Sequence, residues 1–135
     1  MDGGGIKVYK NNKFRNIEIS SEGENHLLNI VRTIYQSSDG LFWFGTDGGL
    51  VKYADDTGTF EIFEPSNKPD DLGFKYVWSI IEKDNKLWLG TYGGGLYVLD
   101  MNTKRFESNR AIAGRTTHYE DNLIWALFND QDGNI

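Results

Sequence analysis

Apolar residues along the chain fall into short runs that alternate with polar residues, and turns rich in glycine, asparagine or aspartate separate the runs. Alternation with a period of two is typical of β-strands, and we find no sustained period of 3.6 residues that would predict a helix. We therefore expect an all-β chain with almost no helix. The predicted strands are residues 5–9, 14–19, 29–35, 41–45, 50–53, 59–63, 75–82, 86–90, 95–99, a short piece around Phe106, and 123–128.

One stretch of this pattern occurs twice. Residues 41–53 run from an aromatic strand through Gly-Thr and a glycine cluster into a second apolar strand, and residues 87–99 repeat that order, with Trp43 and Trp88 spaced by 45 positions. Four antiparallel strands in about 40–50 residues are typical of a β-propeller blade. Because one blade cannot cover both of its apolar faces, blades must stack. We expect Trp43 and Trp88 to pack between blades.

Partial copies of the repeat lie at both ends of the chain. Residues 2–9 match the second half of the unit, and residues 124–135 match its first half. We interpret the chain as a β-propeller fragment, cut from a larger protein, of about three four-stranded antiparallel blades. Half-blades expose strand edges that can pair with another chain, so we expect a homo-oligomer formed through them. The predicted divisions are a second half-blade at 1–22, full blades at 23–68 and 69–114, and a first half-blade at 115–135.

Composition excludes several classes of function. The 14 basic and 20 acidic side chains give a net charge of −6, which argues against a nucleic-acid surface. No run of like charges forms a membrane-binding patch, so we expect no direct membrane contact from this segment. The chain has no cysteine and therefore no disulfide, thiolate chemistry or cysteine-based zinc site.

Several local motifs invite a chemical interpretation and favour turns instead. The glycines at 93–95 lack the spacing of a phosphate-binding loop. Residues 129–133 resemble a calcium loop, but Phe128 would occupy the first ligand position and no downstream glutamate follows. His26 and His118 lie in predicted loops without an identifiable second ligand. We therefore predict no metal site, no cofactor and no catalytic residue.

The candidate ligand-binding residues are predicted from their position in the blade. In a propeller the first strand of each blade lines the central channel. Aromatic faces and amide or cationic donors suit sugars, because a pyranose ring is apolar on its face and polar at its rim. The alternative is that the two tryptophans are core residues, since buried strands favour tryptophan. The candidates are Asn29, Lys75 and Asn122 at one aligned position, and Arg32, Trp78 and Trp125 three residues further on.

A family resemblance adds to this interpretation. Residues 39–50 and 87–97 resemble the two-component regulator propeller repeat, and residues 55–60 and 102–106 are similar to the hairpin that follows in that repeat. Lys104 stands where the repeat has glycine. The resemblance implies part of a periplasmic sensor region, often two seven-bladed propellers and an immunoglobulin-like domain, on hybrid histidine kinases common in Bacteroides. Such sensors typically detect polysaccharide breakdown products.

We therefore expect a ligand-sensing propeller segment in the periplasmic part of an inner-membrane sensor, from a seven-bladed parent and without enzymatic activity of its own. An oligosaccharide ligand is implied by the resemblance alone. Recognition at a propeller face would be transmitted by a change in domain packing or dimer geometry. Two alternatives remain open. One is a propeller glycosidase or lyase, because residues 38–43 loosely resemble the Asp-box turn of sialidases, and the other is a protein-interaction scaffold.

Overall fold

The computed structural model describes residues 5–19, 25–68, 71–73, 76–108 and 123–135. Within these ranges the chain forms antiparallel β-sheet and one short 3-10 helix, so the all-β prediction is confirmed. The elements are β1 (Ile6–Lys10), β2 (Lys13–Ile17), the 3-10 helix (His26–Asn29), β3 (Val31–Gln36), β4 (Phe42–Thr46), β5 (Gly49–Ala54), β6 (Thr59–Phe63), β7 (Val77–Lys83), β8 (Lys86–Thr91), β9 (Gly95–Asp100) and β10 (Phe106–Ser108).

Two four-stranded sheets form the centre of the structure. Their strands lie side by side in chain order, β3-β4-β5-β6 in one and β7-β8-β9-β10 in the other, with every neighbouring pair antiparallel. This up-and-down order is that of a propeller blade. The third sheet is the hairpin β1-β2, which corresponds to β5-β6 because residues 2–9 match residues 47–53. The predicted blade divisions stay a prediction, because residues 20–24 and 109–122 lie outside the described ranges.

Two hairpins close on turns that require left-handed backbone. Asn11 and Asn12 have φ of 53° and 59°, and Asp84 and Asn85 have φ of 52° and 59°. Two consecutive residues with positive φ are typical of the type I′ turn, whose twist matches that of the flanking strands. Asparagine and aspartate tolerate this conformation because their short polar side chains bond locally. Residues 10–13 thus form the predicted turn without the Asn-Gly pair.

The hairpins at the outer edge of each blade confirm the alignment of the two repeats. Gly58 has φ 68° and donates its N–H to Ala54, and Lys104 has φ 59° and donates to Asp100. Lys104 therefore adopts the left-handed conformation that glycine takes in the first copy. A β-carbon makes that conformation cost about 1–2 kcal/mol.

The main core lies between the two blades, as the stacking argument predicts. One face of the first blade packs there against the opposite face of the second. Trp43 is 2% exposed in this core, so its predicted position between blades is confirmed. A second core lies between the first blade and the hairpin β1-β2. The buried residues of the main core are Trp43, Leu50, Leu72, Val77, Ile80, Leu87, Leu89, Tyr97, Leu99 and Phe106.

Trp88 occupies the equivalent place in the second blade. It alternates along β8 with Leu87 and Leu89, which face the main core, so its side chain lies on the opposite face. That face carries the segment of residues 123–135, because a β-carbon on Gly90, two residues from Trp88 along β8, would lie 2.6 Å from the side chain of Ile124. Trp88 is half-buried, in contrast to Trp43.

The glycine of the Gly-Thr motif lets neighbouring blades approach. A β-carbon on Gly45 would lie 2.6 Å from the carbonyl oxygen of Val77, on the first strand of the next blade. A β-carbon on Gly90 would clash with Ser79 and Ile124. Glycine at this position therefore permits each first strand to pack directly on the second strand of the preceding blade.

The start of the first blade differs from the prediction. Residues 26–29 form a 3-10 helix that buries Leu28 completely, and β3 begins only at Val31. The predictions that His26 lies in a loop and that Asn29 opens a strand are therefore wrong. A single 3-10 turn spans too few residues to leave a periodic signal in the sequence.

The predicted strand at residues 123–128 is also wrong. The segment makes a single antiparallel bridge, between Leu123 and Tyr92, and Ile124 donates its N–H to the carbonyl of Thr91 at 3.0 Å. Residues 124–130 have no regular secondary structure. The first strands β3 and β7 each form a ladder with the second strand of their own blade, and among the described residues no such strand pairs with this segment.

The turn at residues 129–133, which resembles a calcium loop in sequence, has the same geometry as the turn before β4. Ser37 donates its N–H to Leu41 at 2.9 Å, and Asp130 donates to Asn134 at 3.0 Å. Hydrogen bonds from the side chain and backbone of Asn134 lower the pKa of Asp130. The carboxylate is thus already bonded within the turn, as a structural role predicts.

Candidate functional site

Arg32 and Trp78 occupy equivalent β-bulges on the first strands of the two blades. The register between β3 and β4 shifts between Val31 and Thr33, and the register between β7 and β8 shifts at the corresponding place. A bulge inserts one extra residue and re-aims its side chain, and bulges are frequent beside binding sites. The same local irregularity therefore presents both candidate side chains.

Each bulged residue lies opposite the turn that follows the second strand. Asp47 donates its N–H to the carbonyl of Ile30 at 3.1 Å, and Tyr92 donates to the carbonyl of Tyr76 at 3.0 Å. Asp47 and Tyr92 directly follow the threonines of the two Gly-Thr motifs. They are therefore equivalent positions.

The two blades fill these equivalent pairs with different chemistry. In the first blade Arg32 donates from Nε and Nη2 to both carboxylate oxygens of Asp47, at 2.8 and 2.6 Å. Such a bidentate pair fixes the guanidinium plane. In the second blade Trp78 stacks on Tyr92, with ring centroids 4.7 Å apart and planes inclined by 22°.

Contacts between blades join the two pairs to Trp125. The guanidinium carbon of Arg32 lies 5.3 Å from the ring centroid of Trp78, within cation–π range. The ring of Trp125 meets Trp78 edge-on at 4.7 Å and Tyr92 at 5.6 Å. We call Arg32, Asp47, Trp78, Tyr92 and Trp125 the inner-strand cluster.

The inner-strand cluster is open to solvent at one end and buried at the other. Trp125 is 62% exposed, and the side chain of Arg32 is 43% exposed. Trp78 is half-buried, and the side chain of Asp47 is 9% exposed. A ligand would therefore reach Trp125 and Arg32 first, with the remaining members supporting them from below.

Three of the six candidate residues, Arg32, Trp78 and Trp125, are brought together in this cluster. Asn29 uses its side-chain oxygen to accept a hydrogen bond from the backbone N–H of Ile19 at 3.1 Å, which ties the first blade to the segment before it. Lys75 and Asn122 lie outside the described residues. The ligand-binding role of all six stays a prediction.

Asp47 and Tyr92 were not among the candidates. Both lie in a motif whose residues are typical of a turn, and only the structure shows that they contact the bulged residues of the first strands. The sequence signal for these two residues is that two positions change together between the two copies of the repeat. Arg32 accompanies Asp47, whereas Trp78 accompanies Tyr92, at positions where the surrounding residues are otherwise alike.

The described ranges of the chain contain neither a metal-type cluster nor a membrane-spanning helix. Over those ranges, no three or more His, Cys, Asp or Glu side chains converge as a metal site would require. Nor do they contain a helix of the length and apolarity needed to cross a membrane.

Comparison with known proteins identifies the repeat. The model of the two-component regulator propeller family matches residues 27–48 and 71–93. The first match spans β3, β4 and the turn that carries Asp47, and the second spans β7, β8 and the turn that carries Tyr92. Both matches therefore contain one bulge and its partner.

A curated relative and two solved structures are similar to this chain. Histidine kinase P4 of Formosa agariphila is 35% identical over 78 residues, which are 54% of this chain and 6% of the kinase. The extracellular domain of a hybrid two-component system from B. thetaiotaomicron is 25% identical over 97% of this chain, with a TM-score of 0.76. The extracellular domain of a second such system from that species is 26% identical over 98% of this chain, with a TM-score of 0.72.

This chain spans only a small part of each of these proteins, 18% and 17% of the two solved chains. Its fold matches theirs over nearly all of its own length. The blade topology, the repeated Gly-Thr turn and the family match agree with one another. The chain thus folds as a β-propeller segment, and residues 27–48 and 71–93 within it match the two-component regulator propeller repeat.

Proposed function

We propose that this chain is a ligand-sensing segment of the extracytoplasmic region of a hybrid two-component histidine kinase, and that its ligand is an oligosaccharide. The similarity to extracellular domains of hybrid two-component systems supports a location outside the cytoplasm. The family match and the similarity to a histidine kinase support the sensor role. The periplasm is the compartment that we propose within this location.

The inner-strand cluster is the observation that carries the proposal of a sugar ligand. Trp125 is 62% exposed, and steeply inclined ring contacts with Trp78 and Tyr92 hold its indole in place. An aromatic side chain combines an apolar face with a polar edge, which matches the apolar face and hydroxyl rim of a pyranose ring. A small number of polar groups beside these rings is enough to orient a ligand, because ligand sites consist mostly of apolar surface with a few polar groups.

The proposed mechanism follows from the position of the cluster. It joins the first blade, the second blade and the segment of residues 123–135, so a ligand bound there contacts all three. A ligand shifts a conformational equilibrium only by its difference in affinity for the two states. We propose that oligosaccharide binding favours one arrangement of neighbouring blades or domains, and that this change is transmitted to the rest of the sensor.

Isothermal titration calorimetry of the chain against a panel of oligosaccharides tests the proposal. The variant Trp125→Ala should bind its best oligosaccharide about tenfold more weakly or worse, because truncation of a stacking aromatic side chain typically costs this much. Its melting temperature should change little, since Trp125 is largely exposed. Phe128→Ala, at a residue 78% exposed in the same segment, should bind like the unaltered chain. The absence of binding to any oligosaccharide would refute the sugar ligand.

The same panel separates the two alternative functions. A glycosidase or lyase would release product from an oligosaccharide, and we expect no turnover by this chain. A protein-interaction scaffold would retain a protein partner in a pull-down without glycans. Turnover that a point mutation in this chain abolishes would replace the sensor proposal with an enzymatic one.

A further inference from the structure

We propose that the inner-strand cluster selects uncharged over anionic sugars, and that Asp47 sets this preference through its contact with Arg32. The inference rests on the proposed function, since it names the chemical class of ligand for the same cluster. Arg32 alone would suggest an anionic ligand such as a uronate or a sulfated sugar, because guanidinium groups bind carboxylate and phosphate well. The contacts of Arg32 point to the opposite preference.

The carboxylate of Asp47 engages the charge of Arg32 directly. Both oxygens of Asp47 accept from the guanidinium, at 2.8 and 2.6 Å, which uses the Nε–Nη2 edge of Arg32. This edge is one of those that could grip a ligand carboxylate in the same bidentate way. With one positive and one negative group, the inner-strand cluster has no net charge.

Burial makes the negative charge of Asp47 effective against a second anion. Its side chain is only 9% exposed, so it is less screened by water and salt than a surface carboxylate. An anionic sugar near Arg32 would lie close to this carboxylate, and like charges at an interface act against the wrong partner.

The guanidinium contributes a flat surface in place of a free charge. It lies over the ring of Trp78 at 5.3 Å, and Trp78 in turn stacks on Tyr92 at 4.7 Å. A planar guanidinium stacks on aromatic faces as well as pairing with anions. Each blade therefore presents a pair of side chains without net charge. In the first blade it is an ion pair, and in the second it is a pair of stacked rings.

Calorimetry with probes matched in size tests the preference. We expect neutral gluco-, xylo- and arabino-tetrasaccharides to include at least one that binds at least tenfold more tightly than tetragalacturonate. Binding of that neutral sugar should not depend on salt, because no ion pair forms. In Asp47→Asn the negative charge beside Arg32 is removed, so affinity for tetragalacturonate should rise about tenfold and should fall again when salt is added.

A second ion pair of the same length provides the control. Arg15 contacts Asp55 at 2.6 Å and neither belongs to the inner-strand cluster, so Asp55→Asn breaks an equally short but more exposed pair and should leave both affinities unchanged. The double variant Arg32→Gln/Asp47→Asn should lose the gain for tetragalacturonate. If Asp47→Asn does not fold, the salt dependence of the unaltered chain and of Arg32→Gln decides the question.

Three results would overturn the inference. They are tighter, salt-dependent binding of tetragalacturonate by the unaltered chain, a folded Asp47→Asn chain with an unchanged preference, and equal effects of Asp47→Asn and Asp55→Asn. The first result would leave the oligosaccharide sensor intact and reverse only the charge preference. If no tetrasaccharide binds at all, both the charge preference and the proposed function fail.

Discussion

Trp43 shows how a single side chain joins two blades. Its ring is 2% exposed in the core between them, and its Nε1 donates to the hydroxyl of Ser37 at 2.9 Å. Trp88 repeats the position in the second blade, but its Nε1 is buried without a hydrogen-bond partner among the described residues. A buried N–H without a partner loses its hydration and gains nothing in return. The two indoles therefore differ in energetics although they are equivalent in sequence.

Substitution by phenylalanine should expose this difference. Trp43→Phe removes the hydrogen bond to Ser37 and should lower the free energy of unfolding by about 1–2 kcal/mol. Trp88→Phe makes the same truncation at a half-buried indole whose Nε1 has no hydrogen-bond partner, so it is the comparison and should cost about 1 kcal/mol less. Urea denaturation of the two variants measures both values. Equal losses would show that the hydrogen bond to Ser37 contributes nothing.

At the residue scale the sequence predicted burial better than it predicted partners. The repeat alone indicated that Trp43 packs between blades, because an apolar side chain on a stacked blade has no other place to go. Asp47 and Tyr92 could not be identified in this way. Their contacts depend on bulges at Arg32 and Trp78, which lie so close to the start of β3 and β7 that too few residues precede them to show a shift in the alternation.

At the scale of elements, the first strand of each blade is held by a close backbone approach. A β-carbon on residue 45 would lie only 2.6 Å from the carbonyl oxygen of Val77, so Gly45 makes this approach possible. Gly90 plays the same part beneath the segment of residues 123–135, where the obstructing atoms belong to the side chains of Ser79 and Ile124. Side-chain ends can rotate away, whereas a carbonyl within a ladder cannot.

The two Gly→Ala variants should therefore differ in stability. Gly45→Ala should lower the free energy of unfolding by about 1–3 kcal/mol, because the added methyl group must displace the first strand of the next blade. Gly90→Ala should cost less. Thermal denaturation compares them in one experiment. A Gly90→Ala variant as unstable as Gly45→Ala would mean that the segment of residues 123–135 packs as rigidly as β7.

The elements also show where sequence patterns stop being informative. Alternation predicted the eight strands of the two full blades, because each of those strands finds a neighbour in its own repeat. The same alternation at residues 123–128 predicted a strand that does not form, because no second strand of its own repeat pairs with it among the described residues. A pattern reports which face of a segment is apolar, and ladder formation also requires an available edge.

At the scale of the whole molecule, the hairpin β1-β2 leaves an apolar groove. Strand β1 pairs only with β2 among the described residues, whereas its counterpart β5 pairs on both edges. A cavity of about 230 Å³ lies beside it, and Ile34 in this groove is 54% exposed. Unpaired edges over apolar surface favour pairing with another chain. The lining residues are Ile6, Lys7, Val8, Ile17, Ile34, Phe42, Phe44, Tyr53 and Asp55.

We propose that a second copy of the chain covers this groove with residues 123–135. That segment matches β3 and the start of β4 in sequence, and it exposes Phe128 by 78% and Ile135 by 42%. The contact would join different surfaces of the two copies, so it is heterologous and can close a ring or extend further.

Light scattering coupled to size exclusion tests this assembly. The chain should elute with a mass above the 15.4 kDa of a monomer, and Ile34→Lys should shift it toward the monomer by placing a charge in the groove. Phe14→Lys, at a residue 75% exposed outside the groove, should leave the mass unchanged. A monodisperse monomer at high concentration would contradict the proposed contact.

The most direct test of the proposed ligand site uses the four tryptophans of the chain, two within the inner-strand cluster and two outside it. In an NMR titration of the ¹⁵N-labelled chain with the best-binding oligosaccharide, the indole N–H resonance of Trp125 should shift most and that of Trp78 should follow. The indole N–H resonances of Trp43 and Trp88, which lie outside the inner-strand cluster, should not shift. Shifts at Trp43 or Trp88 with none at Trp125 would show that the ligand binds elsewhere and would contradict the account.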